Sequence, residues 1–353
     1  MTAPPDFEVA STPREESLAV IGAGSWGATL AIIAARAERR VMLCDRDPLR
    51  ARAMNETREN ARYLPGFTLP PLVNVLSSPA DAVHGQPLVV LAVPAQMVRA
   101  TVTRIYPHLA PDAVVVIAAK GLEATSGKRL SDVVSEGLRP RQRRGIAVLS
   151  GPNLAGEIVR ALPAAAVVAA RHRETAELAQ HLLSTPRFRL YTSTDIVGVE
   201  LGGALKNVLA LVAGLADGLG AGDNGKASIM TRGLAEIARL GLAVGARQTT
   251  FSGLSGLGDL IATCASPLSR NRHVGFELGR GRTLSDIQET MVGVAEGVAT
   301  TRAALILARH YQVEMPIVEQ MHAVLFDGKD PQRAVDELLA RAPREETPNG
   351  IGG

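Results

Sequence analysis

The chain has 353 residues, which is enough for two domains of the usual size of about 150 residues. Hydrophobic residues make up 46% of it and charged residues 21%, a composition typical of globular proteins and not of disordered or fibrous ones. The net charge is only +3 and aromatic residues amount to 3%, so no nucleic-acid interface is expected, because such interfaces need clustered cations and stacking rings.

The sequence predicts a cytoplasmic protein with neither a membrane span nor a metal site. Its longest purely apolar stretches, residues 164–170 and 208–213, are far shorter than the ~18 residues needed to cross a bilayer. The first sixteen residues are rich in acids and prolines, and they lack the basic start and apolar run of a secretion signal. Cys44 and Cys264 stand far apart, so neither a disulfide scaffold nor cysteine-bound zinc is expected.

Residues 17–194 are predicted to form a Rossmann-type α/β domain with a mostly parallel sheet, preceded by a flexible tail at 1–16. Short runs that are apolar along their whole length recur here, separated by helical or loop segments. That pattern is typical of strands buried on both faces of a parallel sheet. The predicted strands are residues 18–21, 41–44, 88–93, 113–117, 146–149 and 166–169.

The first predicted strand leads into a glycine-rich turn typical of dinucleotide-binding domains. Gly22, Gly24 and Gly27 stand between strand and helix, where they allow a tight turn, close approach of a pyrophosphate and close helix packing. Asp45 ends the second strand, 18 residues after Gly27, where such folds place the residue that reads the adenosine ribose. Asp45 favours NAD(H), whereas the adjacent Arg46 can pair with the extra phosphate of NADP(H), so both cofactors remain open.

Residues 195–342 are predicted to form an all-α domain. Strand patterns stop near residue 194, and from there on the sequence shows helical periodicity broken by glycine-rich turns. Residues 343–353 are rich in proline, glycine and charge without periodicity, and we expect them to be a second flexible tail.

The helix predicted at residues 195–220 carries the strongest candidate for acid–base chemistry. Large apolar residues occupy one face of it, and small residues surround Lys206 and Asn207 on the other. Several glycines inside a helix indicate close approach of a ligand or of another backbone. Lysine is scarce, with five against 33 arginines, and a partly desolvated lysine can give up a proton near neutral pH where an arginine cannot. Lys206 is therefore the predicted general acid or base, unless its helix only packs closely against a neighbour.

Three further segments, and the carboxylate of Asp259, are expected to converge on Lys206. Lys120 and the segment 151–153 (Gly-Pro-Asn) follow predicted strands, at the carboxyl ends where open α/β sheets bind ligands. Asp259 follows a glycine-rich segment and is either a helix N-cap or a carboxylate of the site. The segment 269–271 (Ser-Arg-Asn) offers a hydroxyl, a guanidinium and an amide that suit phosphate oxygens.

Motifs spread along the folded chain resemble those of the bacterial NAD(P)-dependent glycerol-3-phosphate dehydrogenases, and they stand in the same order as in that family. The resemblance covers about residues 18–340 and implies a Rossmann domain followed by a helical domain like the C-terminal domain of 6-phosphogluconate dehydrogenases. The motifs are GAGSWGATLA at 22–31, AAKGLE at 118–123, SGPNLAGEI at 150–158, LGGALKN at 201–207, GLGDL at 256–260, SRNR at 269–272 and VAEGV at 294–298.

The resemblance also implies roles for individual residues. Lys206 matches the family's proton-transferring lysine, and Lys120 matches a lysine that touches both substrate and cofactor. Asn153 stands where the family usually has a small hydroxyl residue, although its amide can still donate to an oxygen. The positions that match substrate-binding residues are Gly151, Asn153, Asp259, Ser269, Arg270 and Asn271. Besides the glycines of the turn, the positions that match cofactor-binding residues are Ser25, Trp26, Arg46, Ala155, Arg270, Val294 and Glu296.

The implied reaction is the reversible reduction of dihydroxyacetone phosphate to sn-glycerol 3-phosphate with NADH or NADPH, by a homodimer that needs no metal and supplies phospholipid synthesis. Two other functions remain open on the residues alone. A dehydrogenase of a 3-hydroxy acid or a sugar-phosphate acid shares this layout but needs an anchor for a carboxylate. A nucleotide-sensing protein without turnover would bind NAD(P)H, but it leaves Lys206 and Arg270 unexplained.

Overall fold

The computed structural model describes residues 16–291 and 293–341. Apart from Glu16, the predicted tails at 1–16 and 343–353 lie outside the described residues, as does residue 342, the predicted end of the second domain.

The first half of the chain forms a large, mostly parallel sheet, as the sequence predicts. All neighbouring strands of the described sheet run parallel, except β8 and β9, which are antiparallel. The order across the sheet is β10-β9-β8-β7-β6-β1-β2-β5, and β3 and β4 form a separate antiparallel pair. The strands are β1 (Ser17–Ile21), β2 (Arg40–Cys44), β3 (Glu59–Asn60), β4 (Leu64–Thr68), β5 (Val73–Leu76), β6 (Leu88–Leu91), β7 (Val114–Ile117), β8 (Ile146–Ser150), β9 (Ala164–Ala170) and β10 (Phe188–Ser193).

All six predicted strands occur, and the sequence missed the strands that are exposed on one face. β5 and β10 are the two edges of the large sheet, and both alternate buried with exposed residues. The prediction rested on runs that are apolar along their whole length, which only strands covered on both faces show. The β3 and β4 pair is short and partly exposed and escapes the same pattern.

Helices cover both faces of the sheet, so that apolar side chains form a core on each side. These helices are α1 (Ser25–Arg36), α2 (Pro48–Thr57), α3 (Pro79–Val83), α4 (Val98–Ile105), α5 (Leu130–Gly137), α6 (Ala155–Ile158) and α7 (Arg173–Leu183).

The described chain contains only helices after β10, and they enclose a third apolar core. A short π-helix at Leu254–Gly258 leads into one of them. The helices are α8 (Ile196–Leu219), α9 (Gly222–Val244), α10 (Gln248–Phe251), α11 (Asp259–Ala265), α12 (Arg270–Gly279), α13 (Leu284–Thr290), α14 (Glu296–His310), α15 (Pro316–Phe326) and α16 (Pro331–Leu339).

Helix α8 forms the centre of the second domain and is buried on all sides, not on one face as its apolar stripe suggested. Among the described helices it is the one long and apolar enough to cross a membrane, but 94% of its most apolar window is buried within the fold. It therefore has the composition expected of a core helix. The Asp195 carboxylate caps its start by accepting a hydrogen bond from Gly198 N–H at 2.9 Å, and Gly220 ends it with a φ of 76°.

The glycines of α8 bring neighbouring backbone close to it. A Cβ at Gly214 would overlap the Arg272 carbonyl of α12, and one at Gly275 of α12 would overlap the Leu211 carbonyl of α8. The two helices thus cross with their backbones in contact, which larger residues at these positions would prevent. Of the two explanations for this glycine-rich helix, the structure supports close approach of other backbone segments.

Gly275→Ala is expected to destabilise the second domain, because the added Cβ would force the α8 and α12 backbones apart. Overpacking of this kind costs roughly 1–3 kcal/mol in free energy of unfolding. Denaturant titration followed by circular dichroism measures the change. Gly225→Ala in α9 is the matched control: its Cβ would meet only the Ala221 Cβ, at 3.3 Å, so that change should be neutral or stabilising. A Gly275→Ala protein as stable as wild type would contradict the tight helix crossing.

Candidate active site

The glycine turn after β1 leaves an open space in front of helix α1. Gly22 has a φ of 109° and donates its N–H to the Cys44 carbonyl at 3.0 Å, which ties the turn to β2. A Cβ at Gly27 would overlap the Gly22 carbonyl, so that position must be glycine. Gly24 precedes the first turn of α1, and a Cβ there would meet nothing within 4 Å. Open space before a helix N-terminus fits the pyrophosphate of a dinucleotide.

The other predicted cofactor residues of this domain lie around the same turn and the neighbouring strand ends. Ser25 begins α1, and Arg46 is exposed just after β2. The Trp26 ring packs edge-on against Phe188 with centroids 6.1 Å apart, and its indole N–H is buried without a hydrogen-bond partner among the described residues. Ala155 begins the short helix α6, and its carbonyl accepts a hydrogen bond from the hydroxyl of α1 residue Thr29 at 3.4 Å.

Two lysines from different domains meet at one buried carboxylate. Lys120 Nζ donates to Asp259 Oδ2 at 2.7 Å, and Lys206 Nζ lies 2.8 Å from Asp259 Oδ1. The side chains of Lys120, Lys206 and Asp259 are only 16%, 8% and 1% exposed. Two ammonium groups on one carboxylate leave a net positive charge in a place poor in water, which favours binding of an anion or stabilisation of a developing one.

Lys120, Lys206 and Asp259 each come from a different element of the fold. Lys120 follows β7 at the carboxyl edge of the sheet, and Lys206 projects from the middle of α8. Asp259 is the first residue of α11, directly after the π-helix, and Gly258 occupies the capping position. The hypothesis that Asp259 acts as a helix N-cap is wrong, because Gly258 stands at that position. The Asp259 carboxylate binds the two lysines instead.

Thr263, one turn further along α11, is a site residue that no sequence motif indicates. Its hydroxyl accepts a hydrogen bond from Lys206 Nζ at 2.5 Å and donates to the Asp259 backbone carbonyl at 2.6 Å. Thr263 therefore fixes the direction in which the Lys206 ammonium points. A threonine in a helix interior is common, so only the tertiary contact identifies it.

Burial makes Lys120 easier to deprotonate than an ordinary lysine. Desolvation lowers the pKa of its ammonium to about 8, although the Asp259 carboxylate opposes the shift, and the nearby charge of Lys206 adds to it. A lysine with this pKa can exist in both protonation states near neutral pH. Lys120 is thus suited to proton transfer and, in its charged form, to stabilising an oxyanion.

The segment after β8 adds polar groups to the lysine pair. Gly151, with a φ of 141°, accepts a hydrogen bond from Lys120 Nζ at 2.7 Å through its carbonyl. Both amide atoms of Asn153 are buried without a partner among the described residues, and so is the hydroxyl of Ser150, a residue that the sequence analysis did not single out. Buried polar groups without partners are uncommon in proteins and indicate a place for a ligand or water.

Asn271 and Ser269 are buried and have partners within the protein. Asn271 donates through its amide to Asn207 Oδ1 and accepts from the Gly297 N–H, both at 2.9 Å, so that it links α12 to α8 and α14. The Ser269 hydroxyl accepts the Arg272 N–H at 3.2 Å and caps α12. Each of these side chains therefore has a structural role besides any contact with a ligand.

Arg270 and Glu296 form a second group, at the starts of α12 and α14. Arg270 is exposed and makes no ion pair within the described chain, and its guanidinium lies beside Gly293. Glu296 Oε1 accepts the Ala95 N–H of the first domain at 3.1 Å, whereas Oε2 is buried without a described partner. Burial raises the pKa of Glu296 to about 6, and the charge of Arg270 works against that shift. Val294, nearby in the chain, is 47% exposed.

The structure thus brings Lys120, Gly151, Lys206 and Asp259 into direct contact. Arg270 and Glu296 make no direct contact with these four residues among the described interactions. The described residues contain no group of three or more His, Cys, Asp or Glu side chains arranged to hold a metal ion.

Comparison with known proteins gives one consistent family. The family model of the NAD-dependent glycerol-3-phosphate dehydrogenase N-terminus matches residues 17–176, and that of the C-terminus matches residues 195–336. Glycerol-3-phosphate dehydrogenase (NAD(P)+) of Moorella thermoacetica is 50% identical over 95% of this chain and 99% of its own length. The protein of the same name from Frankia casuarinae is 49% identical over 93% of this chain and 97% of its own length. The crystal structure of glycerol-3-phosphate dehydrogenase from Coxiella burnetii superposes with a TM-score of 0.88 at 35% identity, covering 92% of this chain and 99% of that one.

Asp259→Asn is expected to lower the pKa of Lys120 further, because the lost carboxylate is the charge that stabilises the ammonium. The chain has only five lysines, so their side-chain NMR resonances can be assigned and titrated one by one. Asp217→Asn is the control, since Asp217 pairs with Lys226 and Arg272 instead, and it should leave Lys120 unchanged. An Asp259→Asn protein in which Lys120 titrates as in wild type would show that the carboxylate does not control this lysine.

Proposed function

This chain belongs to the NAD-dependent glycerol-3-phosphate dehydrogenase family, and we propose that its lysine pair carries out the proton chemistry of that reaction. The reaction interconverts dihydroxyacetone phosphate and sn-glycerol 3-phosphate, the backbone of phospholipids. The observation that carries the proposal is the meeting of Lys120 and Lys206 at Asp259, where the carboxyl edge of the sheet faces α8.

The cofactor is proposed to lie on the glycine turn. Gly22, Gly24 and Gly27 would admit its pyrophosphate before α1, with further contacts from Ser25, Trp26, Arg46, Lys120, Ala155, Arg270, Val294 and Glu296. The unpartnered Trp26 N–H and Glu296 Oε2 support this assignment, because each is a buried polar atom without a described partner. When bound, NADH or NADPH supplies the hydride for the C2 carbon of the ketone.

Lys206 is proposed to give the proton that reduction requires. The C2 carbonyl oxygen gains negative charge as the ketone is reduced, and an ammonium held in place can neutralise it by proton transfer. Thr263 and Asp259 fix the Lys206 ammonium, so little reorganisation is needed at the moment of reaction. In the oxidative direction the proton of the C2 hydroxyl returns to Lys206 Nζ.

Lys120 is proposed to support this step by charge. Its ammonium lies on the other oxygen of Asp259 and is held by the Gly151 carbonyl. Below its pKa of about 8 it is mostly charged, so it would place positive charge beside the developing alkoxide. The unpartnered amide of Asn153 is placed at the end of the same segment and can donate to a substrate oxygen.

Arg270 is proposed to bind the phosphate of the substrate. It begins α12, is exposed and makes no ion pair within the described chain, so its donors are available to phosphate oxygens, which arginine recognises in a bidentate manner. Asn271 and Ser269 complete the proposed subsite. Their hydrogen bonds within the protein orient the start of α12 towards the ligand.

Three further proposals concern the setting of the enzyme. We place it in the cytoplasm, because Cys44 and Cys264 are both free and buried, as suits a reducing compartment. The homodimer is supported by the family resemblance alone, and light scattering on purified protein tests it. The domain boundary is proposed near residue 195, where β10 has ended and Asp195 caps α8.

Arg270→Leu should reduce kcat/KM for dihydroxyacetone phosphate by a factor of ten or more, because it removes a charge-assisted contact worth roughly 2–4 kcal/mol. Any turnover of unphosphorylated dihydroxyacetone should change little. Steady-state rates from the loss of nucleotide absorbance give both values, and nucleotide affinity is measured in parallel, since Arg270 is also a proposed cofactor contact. Equal losses on the two ketones would argue against a phosphate site.

Lys206→Met should lower kcat by ~10² to 10⁴, the usual contribution of general acid–base catalysis, while NAD(P)H affinity stays nearly unchanged. Methionine keeps the length and apolar stem of the side chain but has neither the charge nor the proton. Lys206→Arg should not restore activity, because a guanidinium keeps its proton.

Lys226→Met is the matched control for this change. Lys226 lies in the same domain and pairs with Asp217, so it should retain the wild-type kcat. Near wild-type kcat with an unchanged pH profile in Lys206→Met would mean that another group or a water protonates the alkoxide.

A further inference from the structure

The carboxylate at the end of β2 is already engaged by a neighbouring arginine. Asp45 follows Cys44, whose carbonyl holds the Gly22 N–H of the glycine turn at 3.0 Å, so Asp45 lies beside the proposed nucleotide site. An acid at this point of a Rossmann domain accepts hydrogen bonds from the ribose hydroxyls of NAD. Its charge also repels the additional 2′-phosphate of NADP. Whether this carboxylate is free or engaged therefore matters for the choice of cofactor.

Arg50 forms a bidentate ion pair with Asp45. Its Nη2 donates to Asp45 Oδ1 at 2.7 Å and its Nε donates to Oδ2 at 3.1 Å, while the Asp47 N–H donates to Oδ1 at 2.9 Å. The Asp45 side chain is only 5% exposed. Its charge is thus neutralised at short range, and both of its oxygens already accept hydrogen bonds from the protein.

The start of α2 holds Arg50 in this position. Asp47 caps the helix by accepting the N–H groups of Leu49 and Arg50, and its carboxylate also lies 2.9 Å from Arg50 Nη1. The Arg50 side chain remains 29% exposed. Since a guanidinium has five N–H donors, it retains some that point away from the two carboxylates. Arg46, exposed next to Asp45, adds a second positive charge to this surface.

We infer that Arg50 sets the cofactor preference by masking the Asp45 carboxylate, which allows a nucleotide carrying a 2′-phosphate to bind. The inference deepens the proposed function and rests on it only in placing NAD(P)H at the glycine turn. Without Arg50, the same Asp45 would be a free acceptor for ribose hydroxyls and would disfavour the phosphate. One side chain that the sequence motif does not include would thus allow NADPH to be used.

Arg50→Met tests the masking directly. Calorimetric titration with NADPH should show an affinity loss of about tenfold or more, because a bare carboxylate then faces the 2′-phosphate. NADH affinity should stay the same or increase. In the wild-type protein, both 2′,5′-ADP and 5′-ADP are expected to raise the melting temperature. In Arg50→Met the rise with 2′,5′-ADP should largely disappear, whereas the rise with 5′-ADP should persist.

Removing both charges separates masking from direct contact. In the double variant Asp45→Asn with Arg50→Met, NADPH affinity should recover most of its loss, since no carboxylate remains to repel the phosphate. Arg50→Lys keeps one positive charge and should lie between wild type and Arg50→Met. Arg52→Met is the matched control, because Arg52 lies on the same helix, is exposed and, within the described chain, pairs only with Glu56.

Several results would overturn the inference. Equal losses for NADPH and NADH in Arg50→Met would show that Arg50 only holds α2 in place. Failure of the double variant to recover NADPH affinity would show that Arg50 contacts the phosphate itself. A wild-type protein that binds NADH but not NADPH would also contradict it. Since these measurements need no turnover, a protein that shows the affinity shift but does not reduce dihydroxyacetone phosphate would refute the proposed function and leave this inference intact.

Discussion

The contact on which the site depends is the buried carboxylate of Asp259 between two lysines. Bringing two ammonium groups into a space with little water is strongly unfavourable unless a negative charge compensates them. Asp259 does this with both oxygens, at 2.7 Å from Lys120 and 2.8 Å from Lys206. One positive charge remains uncompensated, which is the charge that the proposed reaction would use to stabilise a developing oxyanion.

Helix α8 makes this meeting possible through its small residues. A Cβ at Gly203 would overlap the Ser150 hydroxyl at the end of β8, and a Cβ at Gly202 would lie 2.6 Å from the Ser255 carbonyl. These glycines, one turn before Lys206, let the sheet edge and the π-helix that precedes Asp259 approach the same stretch of α8. The same glycines thus allow the close packing of α8 and bring the residues of the site together. The interpretation that the glycines serve helix packing is therefore compatible with the interpretation that Lys206 is functional.

A second contact joins the two domains at Glu296. Glu296 at the start of α14 holds the Ala95 N–H of the first domain, and a Cβ at Gly121 would lie 3.7 Å from its other oxygen and 3.3 Å from the Thr300 hydroxyl. Both of those oxygens lack a described partner. Two polar atoms without described partners thus lie beside Gly121, the residue that follows Lys120.

The sequence by itself determined the class of fold and the glycine turn, and it made Lys206 the predicted acid or base, because each leaves a local signal: apolar runs, a fixed glycine spacing and a scarce residue type. The family motifs added the order of the site segments. Only the tertiary structure decided that Asp259 binds both lysines and does not cap a helix, that Thr263 orients Lys206, and that Arg50 engages Asp45. Those are contacts of side chains, most of them between distant segments of the chain. An aspartate a few residues before an arginine, or a threonine inside a helix, is too common in sequences to identify such contacts. The edge strands β5 and β10 were not predicted for a related reason. A half-exposed strand is stabilised by packing against its neighbour in the sheet, and its own sequence does not show that packing.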